Sequence, residues 1–323
     1  MGHRAFSERV IIDLIKRKFR QQGNILSPYD DAWGCVLKNK YLVSSGDMFV
    51  ETTDAPPFMT IRQMAFKSFT ISVSDIASKG VLPTYYYLIV GLPRSFRRRE
   101  FMELMRGWSE AISLYGGAIM GGDTNEAPCL TISVITISLS DKPPIARKSG
   151  KPGDIVAVTG FFGETYIGFK MMKNINKIPK KVRKKVLERI CMPVARLYEG
   201  NALNGIAEAC TDSSDGLAVS LYNLVRQGGN GILVENLPLD KDVEDALNII
   251  GAKPFEAVFY GGEEFELVLI IPERKWQNAV REVENVGGNL IPIGKVVKRR
   301  GVWYRGENGK IVKIPEKGWE HLT

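Results

Sequence analysis

The sequence predicts an α/β (α+β) protein with two domains, and three observations support this prediction. The chain has 323 residues, more than the roughly 250–300 at which a single hydrophobic core stops growing. Segments with the periodicity of strands and of helices alternate along it. Residues 140–154, SDKPPIARKSGKPGD, are rich in Pro, Gly and Lys and separate two such series. We therefore expect an N-terminal domain over residues 1–146 and a C-terminal domain over residues 147–323.

The N-terminal half alternates short strands with long helices. Apolar residues on one face predict a first helix over residues 6–19. Gly80 ends the second predicted helix, and the glycine pair at residues 116–117 ends the third. Alternation of Thr, Ile, Ser and Val predicts the last strand of this half. After the first helix we expect strands Gly34–Leu37 and Tyr41–Ser44, helix Thr60–Lys79, strand Tyr85–Val90, helix Phe96–Tyr115 and strand Leu130–Leu139.

The C-terminal half has the same mixed character. Pro193 suits the first position of a helix, and Gly228 follows the end of another. The tail is predicted to form short strands. Before it we expect strand Ile155–Thr159, helices Gly163–Met172, Val194–Glu208 and Leu217–Gln227, strands Gly231–Val234 and Phe265–Ile271, and helix Glu273–Val286.

The rarity of histidine and the spacing of cysteine exclude several kinds of active site. The only histidines are His3 and His321, at the chain ends, and the four cysteines form no C-x-x-C pair. A zinc site, a Ser-His-Asp triad and a Cys-His dyad are therefore not expected. No apolar run reaches the ~18 residues needed to cross a bilayer, and the N-terminus alternates apolar and charged residues. We expect a cytoplasmic protein with reduced thiols and no membrane partner.

The net charge of +8 comes from one local segment of the chain. Segment Lys170–Arg189 has nine basic residues and one acidic residue, so the rest of the chain is neutral overall. No aromatic residues alternate with these lysines as they do in a platform for single-stranded nucleic acid. We expect a solvated basic surface and no nucleic-acid partner. RNA binding through this segment is kept as an alternative that salt dependence would test.

Five Gly- or Ser-rich segments, predicted to be strand or loop ends, each present aspartate. Single aspartates at such places are usually caps or turn residues. Together they supply the hard oxygen ligands that Mg²⁺ takes alongside phosphate, and nearby glycines would permit close backbone approach. Arg147 would suit bidentate contact with a nucleotide phosphate, although no common nucleotide motif is present. The segments are Tyr29-Asp30-Asp31-Ala32, Ser44-Ser45-Gly46-Asp47, Ser74-Asp75, Gly121-Gly122-Asp123-Thr124 and Asp212-Ser213-Ser214-Asp215-Gly216.

An ordered series of motifs resembles thiamine-monophosphate kinase. The series is DDA, SSGDMFVE, SVSDIASKGVLP, GGDTNEAP, SGKPGD-x4-TG, TDSSDGL and GGEEFEL, and it ends with Gly318-Trp319-Glu320-His321. That family shares a superfamily with aminoimidazole ribonucleotide synthetase, selenophosphate synthetase and a hydrogenase maturation protein. The resemblance implies ATP-dependent phosphorylation of thiamine monophosphate with several Mg²⁺ ions. It also implies a homodimer in which the N-terminal domains form a shared β-barrel, beside the C-terminal α/β domain.

The resemblance also assigns roles by position. The implied substrate contacts are Asp54, Glu263 and Trp319. The implied ATP contacts are Met105, Gly122, Asp123, Arg147 and Ser214. The implied metal ligands are Asp30, Ser45, Gly46, Asp47, Asp75, Asp123, Asp212 and Asp215. No catalytic base is assigned, because an acceptor phosphate is already anionic and direct in-line transfer needs none.

Departures from the family pattern lie mainly on the substrate side. Asp54 stands where the family has a histidine, Glu264 where it has an aspartate, and Met105 where an aromatic ATP contact is usual. The metal carboxylates are retained. Two alternatives therefore stay open, namely a divergent superfamily member acting on another acceptor and an inactive protein that binds ATP or thiamine phosphate.

Overall fold

Twelve strands and eleven α-helices form the part of the chain that the computed structural model describes, residues 7–19 and 22–320. Phe6, His3 and His321 lie outside the described residues. The strands are β1 (Trp33–Leu37), β2 (Lys40–Val50), β3 (Tyr85–Leu92), β4 (Ala118–Glu126), β5 (Thr131–Ser140), β6 (Ile155–Val158), β7 (Ala209–Ser213), β8 (Gly231–Val234), β9 (Glu266–Ile271), β10 (Ile291–Val297), β11 (Val302–Arg305) and β12 (Ile311–Lys313). The helices are α1 (Glu8–Lys18), α2 (Glu51–Asp54), α3 (Ile61–Ser78), α4 (Arg98–Tyr115), α5 (Glu164–Lys170), α6 (Lys180–Cys191), α7 (Leu197–Ala202), α8 (Leu217–Arg226), α9 (Lys241–Ile249), α10 (Pro254–Tyr260) and α11 (Trp276–Asn285).

The first sheet has five strands in the order β1-β2-β5-β3-β4. Only the β3–β4 pair is parallel. Strand residues alternate between the two faces of a sheet, and along β3 Tyr86 and Leu88 are buried whereas Tyr87 and Ile89 are exposed. Helix α3 packs on the buried face, where Phe69 meets the Tyr86 ring edge-on at 4.8 Å between centroids. The opposite face stays open in the single chain, and no closed barrel forms among the described strands.

Helix α3 joins the two halves of the molecule. It begins with a capping box, in which the Thr60 side chain accepts from the Gln63 N–H and the Gln63 side chain accepts from the Thr60 N–H. Thirteen of its residues are buried, because it contacts β2 and β5 on one side and α7, β7 and β9 on the other. A helix enclosed on several sides shows little amphipathic patterning. Its last turns therefore lie where the two halves meet.

The second sheet has seven strands in the order β12-β11-β8-β10-β6-β9-β7. Its pairs are antiparallel except β8–β11. The central strands β8 and β9 are fully buried, as expected for strands covered on both faces. The prediction of a mixed α/β fold is confirmed at this level. None of the helices in residues 7–19 and 22–320 is long and apolar enough to cross a membrane.

Predictions about four individual segments are wrong. Three of the aspartate segments are not strand or loop ends, because Ser44–Asp47 lies inside strand β2, Ser74-Asp75 inside helix α3 and residues 121–124 inside strand β4. The helix expected over Val194–Glu208 is confined to α7, and Pro193 follows α6 instead of starting a helix. Helix α7 ends before Gly205, which adopts φ 89°, a left-handed conformation that does not continue an α-helix. It packs closely on α3, since a Cβ on Gly200 would lie 2.1 Å from the carbonyl oxygen of Ala77.

Candidate functional site

Carboxylates from three separate elements converge beside the last turns of α3. Asp75 lies on α3, Asp212 lies in β7, and Asp31 precedes β1. One oxygen from each of these three side chains lies within 4.8 Å of the others. Asp47 of β2 lies close enough for its charge to raise the pKa of Asp75, and we call Asp31, Asp47, Asp75 and Asp212 the acid cluster. The structure thus brings together three of the predicted metal ligands and Asp31, which was not among them.

Strand β2 supplies two side chains to this cluster through its alternation. Ser45 and Asp47 are two residues apart and therefore point to the same face, whereas Gly46 points to the other. The Ser45 hydroxyl donates to the Asp31 carbonyl oxygen at 3.2 Å and to the Asp75 carboxylate. The Oδ2 atom of Asp47 is buried and has no hydrogen-bond partner among the described residues.

Burial and mutual repulsion raise the pKa values of the cluster. Burial is the main cause that raises the pKa of Asp47 to about 6, and nearby Asp215 adds to it. The pKa of Asp212 is also raised to about 6, by burial first and by Asp47 and Asp215, although the Ser74 hydroxyl donates to it at 2.7 Å. The pKa of Asp75 lies well above its ordinary value, through burial and the charges of Asp47 and Asp212. Such a site favours an added cation over uncompensated anions.

The cluster fits a hard divalent cation. Its donors are carboxylate oxygens, which Mg²⁺ prefers. A buried carboxylate oxygen without a partner, as on Asp47, is costly unless a ligand satisfies it. Asp215, at the loop after β7, lies close enough to raise the pKa of both Asp47 and Asp212. Asp47, Asp75, Asp212 and Asp215 are therefore suited to bind Mg²⁺.

Two cations already balance the neighbouring pair Asp30 and Asp31. Lys79 is completely buried, and its ammonium contacts both carboxylates, that of Asp31 at 2.9 Å. The Arg147 guanidinium donates to the Asp31 carboxylate, to the Tyr29 carbonyl oxygen and to Thr211. Arg147 thus lies beside the acid cluster, as a phosphate-binding residue would, while Asp30 is engaged by partners within the chain.

The GGDT segment lies away from the acid cluster. Strand β4 is an edge of the first sheet, and β3 and β5 separate it from β2. In register, Asp123 is beside Ile89 on the open face, whereas Asp47 is beside the buried Val134. Gly122 permits close approach to protein, not to phosphate, because a Cβ there would lie 1.9 Å from the Leu88 carbonyl oxygen.

Met105 lies on a different surface from the acid cluster. It lines a groove of about 680 Å³ on the outer face of α4, together with Met102 and Arg106. Its predicted contact with ATP stays a prediction.

The predicted substrate residues lie together on the far side of Asp215. The Glu263 N–H donates to the Ser214 carbonyl oxygen at 2.6 Å, and the Trp319 N–H donates to the Asp215 carbonyl oxygen at 3.1 Å. Trp319 is 59% exposed. The loop after β7 therefore connects this group to the acid cluster.

Lys67 connects Glu263 with Asp54, the third of the predicted substrate residues. Its buried ammonium donates to both Glu263 carboxylate oxygens, at 2.7 and 2.8 Å, and to the Asp54 carbonyl oxygen at 2.9 Å. The Asp54 carboxylate accepts from the Val50 N–H at 2.7 Å. Glu263 adopts φ 61°, a left-handed backbone conformation that residues other than glycine rarely adopt. Together these contacts hold the Glu263 carboxylate in one position.

A buried ionic network supports the segment that carries Glu263. Glu264 accepts from the Gly163 N–H and the Thr165 hydroxyl, and burial, with the charge of Glu164, raises its pKa to about 8. The Glu264 side chain lies at Gly163 and Thr165, near the charges of Glu164 and Arg189, whereas the Glu263 carboxylate binds Lys67. Glu266 is held by two guanidiniums, and its pKa is lowered despite burial. The partners of Glu266 are Arg189, Arg196 and Thr159.

Sequence reasoning did not assign Asp31, Lys67 and Lys79. Asp31 adjoins Asp30, and a pattern of adjacent aspartates does not show which one faces a cluster. Both lysines lie in a helix-forming stretch, where a solvated position is usual. A signal was present nonetheless: Lys67 and Lys79 are the basic residues of the stretch 64–80, in which all the others except Asp75 are apolar or small and polar.

Comparisons with known proteins agree with this architecture. A family model described as AIR synthase related protein, N-terminal domain, matches residues 29–139. The thiamine-monophosphate kinase of Pyrococcus horikoshii is 32% identical over 295 residues, which are 91% of this chain and 90% of that protein. The structure of AaThiL complexed with AMPPCP and TMP has a TM-score of 0.86 at 24% identity and covers 99% of both chains. The structure of tt0281 from Thermus thermophilus has a TM-score of 0.84 at 30% identity, covering 95% of this chain and 98% of that chain.

Proposed function

The chain belongs to the thiamine-monophosphate kinase family, as its motifs predict, and on this premise we propose how its residues support the reaction. It is an ATP-dependent phosphotransferase that converts thiamine monophosphate to thiamine diphosphate. The observation that supports its site best is the convergence of carboxylates from the loop before β1, α3 and β7, with Asp47 of β2 beside them, next to the loop that carries Ser214 and hydrogen-bonds Glu263 and Trp319. Donor phosphate and acceptor would meet between these two sets of residues.

Asp47, Asp75, Asp212 and Asp215 would hold Mg²⁺, with Ser45 and Gly46 beside them. When bound there, Mg²⁺ supplies charge neutralisation between two anionic phosphates. Ser45 orients the Asp75 carboxylate through its hydroxyl. The buried position of Asp212 keeps water away from its carboxylate, which strengthens electrostatic contacts.

Arg147 and the loop at Ser214 would bind the nucleotide. The guanidinium of Arg147 lies beside the cluster and is charged throughout the physiological pH range. Transfer is proposed to be direct and in line. Because the acceptor phosphate is already anionic, it requires no side-chain base. Positioning and electrostatics therefore account for most of the rate.

Glu263 and Trp319 would bind thiamine. The ring of Trp319 offers a flat apolar surface to an aromatic ring. The Glu263 carboxylate, positioned by Lys67, offers a negative charge to the cationic thiazolium ring. Asp54 lies on the same side, and its carbonyl oxygen shares the Lys67 ammonium.

We also propose a homodimer formed through the open face of the first sheet, closing it into a shared barrel. This face exposes a row of large apolar side chains on neighbouring strands, which is typical of an interface. The row includes Met48, Tyr85, Tyr87, Ile89 and Met120. Gly122 and Asp123 lie about 14 Å from β2, three strand spacings away, so their predicted roles toward ATP and metal would be played from the second copy.

A direct assay tests the reaction. We expect ADP release from ATP and Mg²⁺ to depend on thiamine monophosphate, with thiamine and no acceptor as controls, and thiamine diphosphate to accumulate. Nucleotide binding without ADP release on any acceptor would instead support an inactive binding protein. ADP release only with a different phosphate acceptor would support a divergent activity.

A separate measurement tests the dimer. Light scattering should give twice the chain mass of 36.0 kDa, and Tyr87→Glu should reduce it to that of one chain because a charge on the apolar face opposes association. A monomeric wild-type protein that turns over at full rate would refute both the dimer and the roles of Gly122 and Asp123.

A further inference from the structure

We propose that the Lys79 ammonium takes the place of one divalent cation next to the acid cluster. Asp30 and Asp31 then act as counter-ions of Lys79, and the enzyme binds one metal ion fewer than its carboxylates alone would hold. The inference rests on the proposed function, in which divalent ions bind Asp47, Asp75, Asp212 and Asp215.

The surroundings of Lys79 are those that a hard cation collects. Its side chain is fully buried, and its ammonium contacts the carboxylates of Asp30 and Asp31 and, at 3.4 Å, the carbonyl oxygen of Cys210. These oxygens come from the loop before β1 and from β7. Carboxylate and carbonyl oxygens from several segments around one buried point also describe a site for Mg²⁺ or Mn²⁺.

Asp30 is fully engaged by groups of its own chain. Its Oδ1 atom accepts from Lys79 and from the Asp31 N–H at 2.9 Å, and its Oδ2 atom accepts from the Arg147 N–H at 2.9 Å. Its side chain is completely buried. A metal ion that binds Asp30 Oδ1 would have to displace the Lys79 ammonium. We therefore replace the sequence-based role of Asp30 as a metal ligand with that of a counter-ion.

Displacement of the Lys79 ammonium is costly, so the ammonium keeps the position that a divalent cation would otherwise take. An ammonium removed from its buried partners without reaching water loses its ion pairs while it stays desolvated. Lys79 directly follows α3, whose burial between the two halves fixes its backbone. Its charge also favours the ionised form of Asp75 and so supports the neighbouring metal site.

The test counts bound Mn²⁺ in the full-length protein from the electron paramagnetic resonance signal of free Mn²⁺, without substrate and then with AMPPCP. Lys79→Met removes the charge at similar length. We expect this variant to bind one more Mn²⁺ per chain than the wild type, and its apparent Tm to rise much more steeply with Mn²⁺. Lys40→Met is the control, since it removes a lysine that forms an exposed ion pair with Asp141 away from the acid cluster, and it should leave the count unchanged.

The outcomes separate this inference from the proposed function. An equal Mn²⁺ count in wild type and Lys79→Met would overturn it, as would a Lys79→Met chain that Mn²⁺ cannot restore to the folded state. The double variant Lys79→Met/Asp30→Asn loses both charges and should fold with the wild-type count; an additional ion bound there would also overturn it. None of these counts requires turnover, so a wild type that forms no thiamine diphosphate would refute the reaction without altering the comparison.

Discussion

Replacing Asp212 by asparagine should stabilise the metal-free protein while it disables the enzyme. Asp212 is 4% exposed, and its carboxylate accepts from the Ser74 hydroxyl at 2.7 Å. The asparagine carbonyl oxygen can accept the same hydrogen bond, so the local structure should persist. The change therefore isolates the charge.

The pKa of Asp212 gives the size of the effect. Its rise from an ordinary value of 3.8 to about 6 means that the folded protein disfavours the ionised carboxylate. This rise corresponds to about 3 kcal/mol above pH 6. Because the folded pKa lies above the unfolded one, this cost is fully present at pH 8 and falls below about 1 kcal/mol near pH 4. Asp212→Asn removes the cost, so its advantage should follow the same pH dependence.

Denaturation in EDTA at pH 4 and at pH 8 measures this effect. We expect the apparent Tm of Asp212→Asn to exceed the wild-type value by several degrees at pH 8 and to approach it at pH 4. Turnover with Mg²⁺ should fall by about 100-fold or more, as when one preorganised electrostatic group is removed. Asp154→Asn is the matched control, since its carboxylate accepts from the Lys151 N–H in a turn outside the acid cluster; it should gain no stability and keep its turnover. If Asp212→Asn is less stable than the wild type at pH 8, the electrostatic cost assigned to the ionised Asp212 carboxylate is refuted. If its turnover is unchanged, the role of Asp212 as a metal ligand is refuted.

Three further predictions follow from the buried charges. Lys67→Met should raise KM for thiamine monophosphate about tenfold or more with little change in KM for ATP, because the amine positions Glu263. Lys67→Arg should restore part of the affinity for thiamine monophosphate. Steady-state kinetics with each substrate varied in turn would show equal changes in both KM values if the role of Lys67 were only structural. Apparent Mn²⁺ affinity should rise with pH through about 6, since carboxylates with raised pKa values must lose protons to bind metal; a flat pH profile in direct titration would contradict this. Glu266→Gln should lower the free energy of unfolding by about 3–5 kcal/mol, because it leaves Arg189 and Arg196 without their buried partner. Glu264→Gln should instead raise the free energy of unfolding by about 3 kcal/mol at pH 7 and change it little near pH 4, because the folded pKa of Glu264 is about 8 and the unfolded chain ionises from about 4.5. Urea denaturation that gives the same sign of effect for both variants at pH 7 would refute this distinction.

Local patterns in the sequence predict most elements of the fold. Thr60–Lys79 is realised as α3 because its capping box and the glycine after it are local signals. The alternation before residue 140 is realised as β5 for the same reason. Helix Val194–Glu208 was predicted too long because Gly205, which adopts φ 89° in the structure, is a local signal for a helix end inside that range. Strand β4 was missed because its glycines and polar residues are typical of a loop, whereas pairing with β3 makes them a strand.

The site was predictable as a set of residue types and less so as an arrangement. Motif order pointed to Asp47, Asp75 and Asp212, and the structure brings these carboxylates together. The sequence could not distinguish Asp30 from Asp31, because which neighbour faces the acid cluster depends on the turn before β1. A lysine in a segment of mostly apolar and small residues is a signal that Lys79 is unusual, but its role comes from being enclosed between that turn and β7, which the sequence does not show.

The departure at Asp54 also becomes physically reasonable with the structure. A carboxylate in place of a histidine removes a donor for the substrate phosphate, so the sequence alone leaves the acceptor open. In the structure the Asp54 carboxylate accepts from the Val50 N–H, and Lys67 binds the Asp54 carbonyl oxygen and both Glu263 oxygens. Two carboxylates and one ammonium leave this group with a net negative charge, which favours the thiazolium cation over the phosphate. If the proposed function holds, this side recognises the ring system, and the acceptor phosphate is bound only where Mg²⁺ and Arg147 face it.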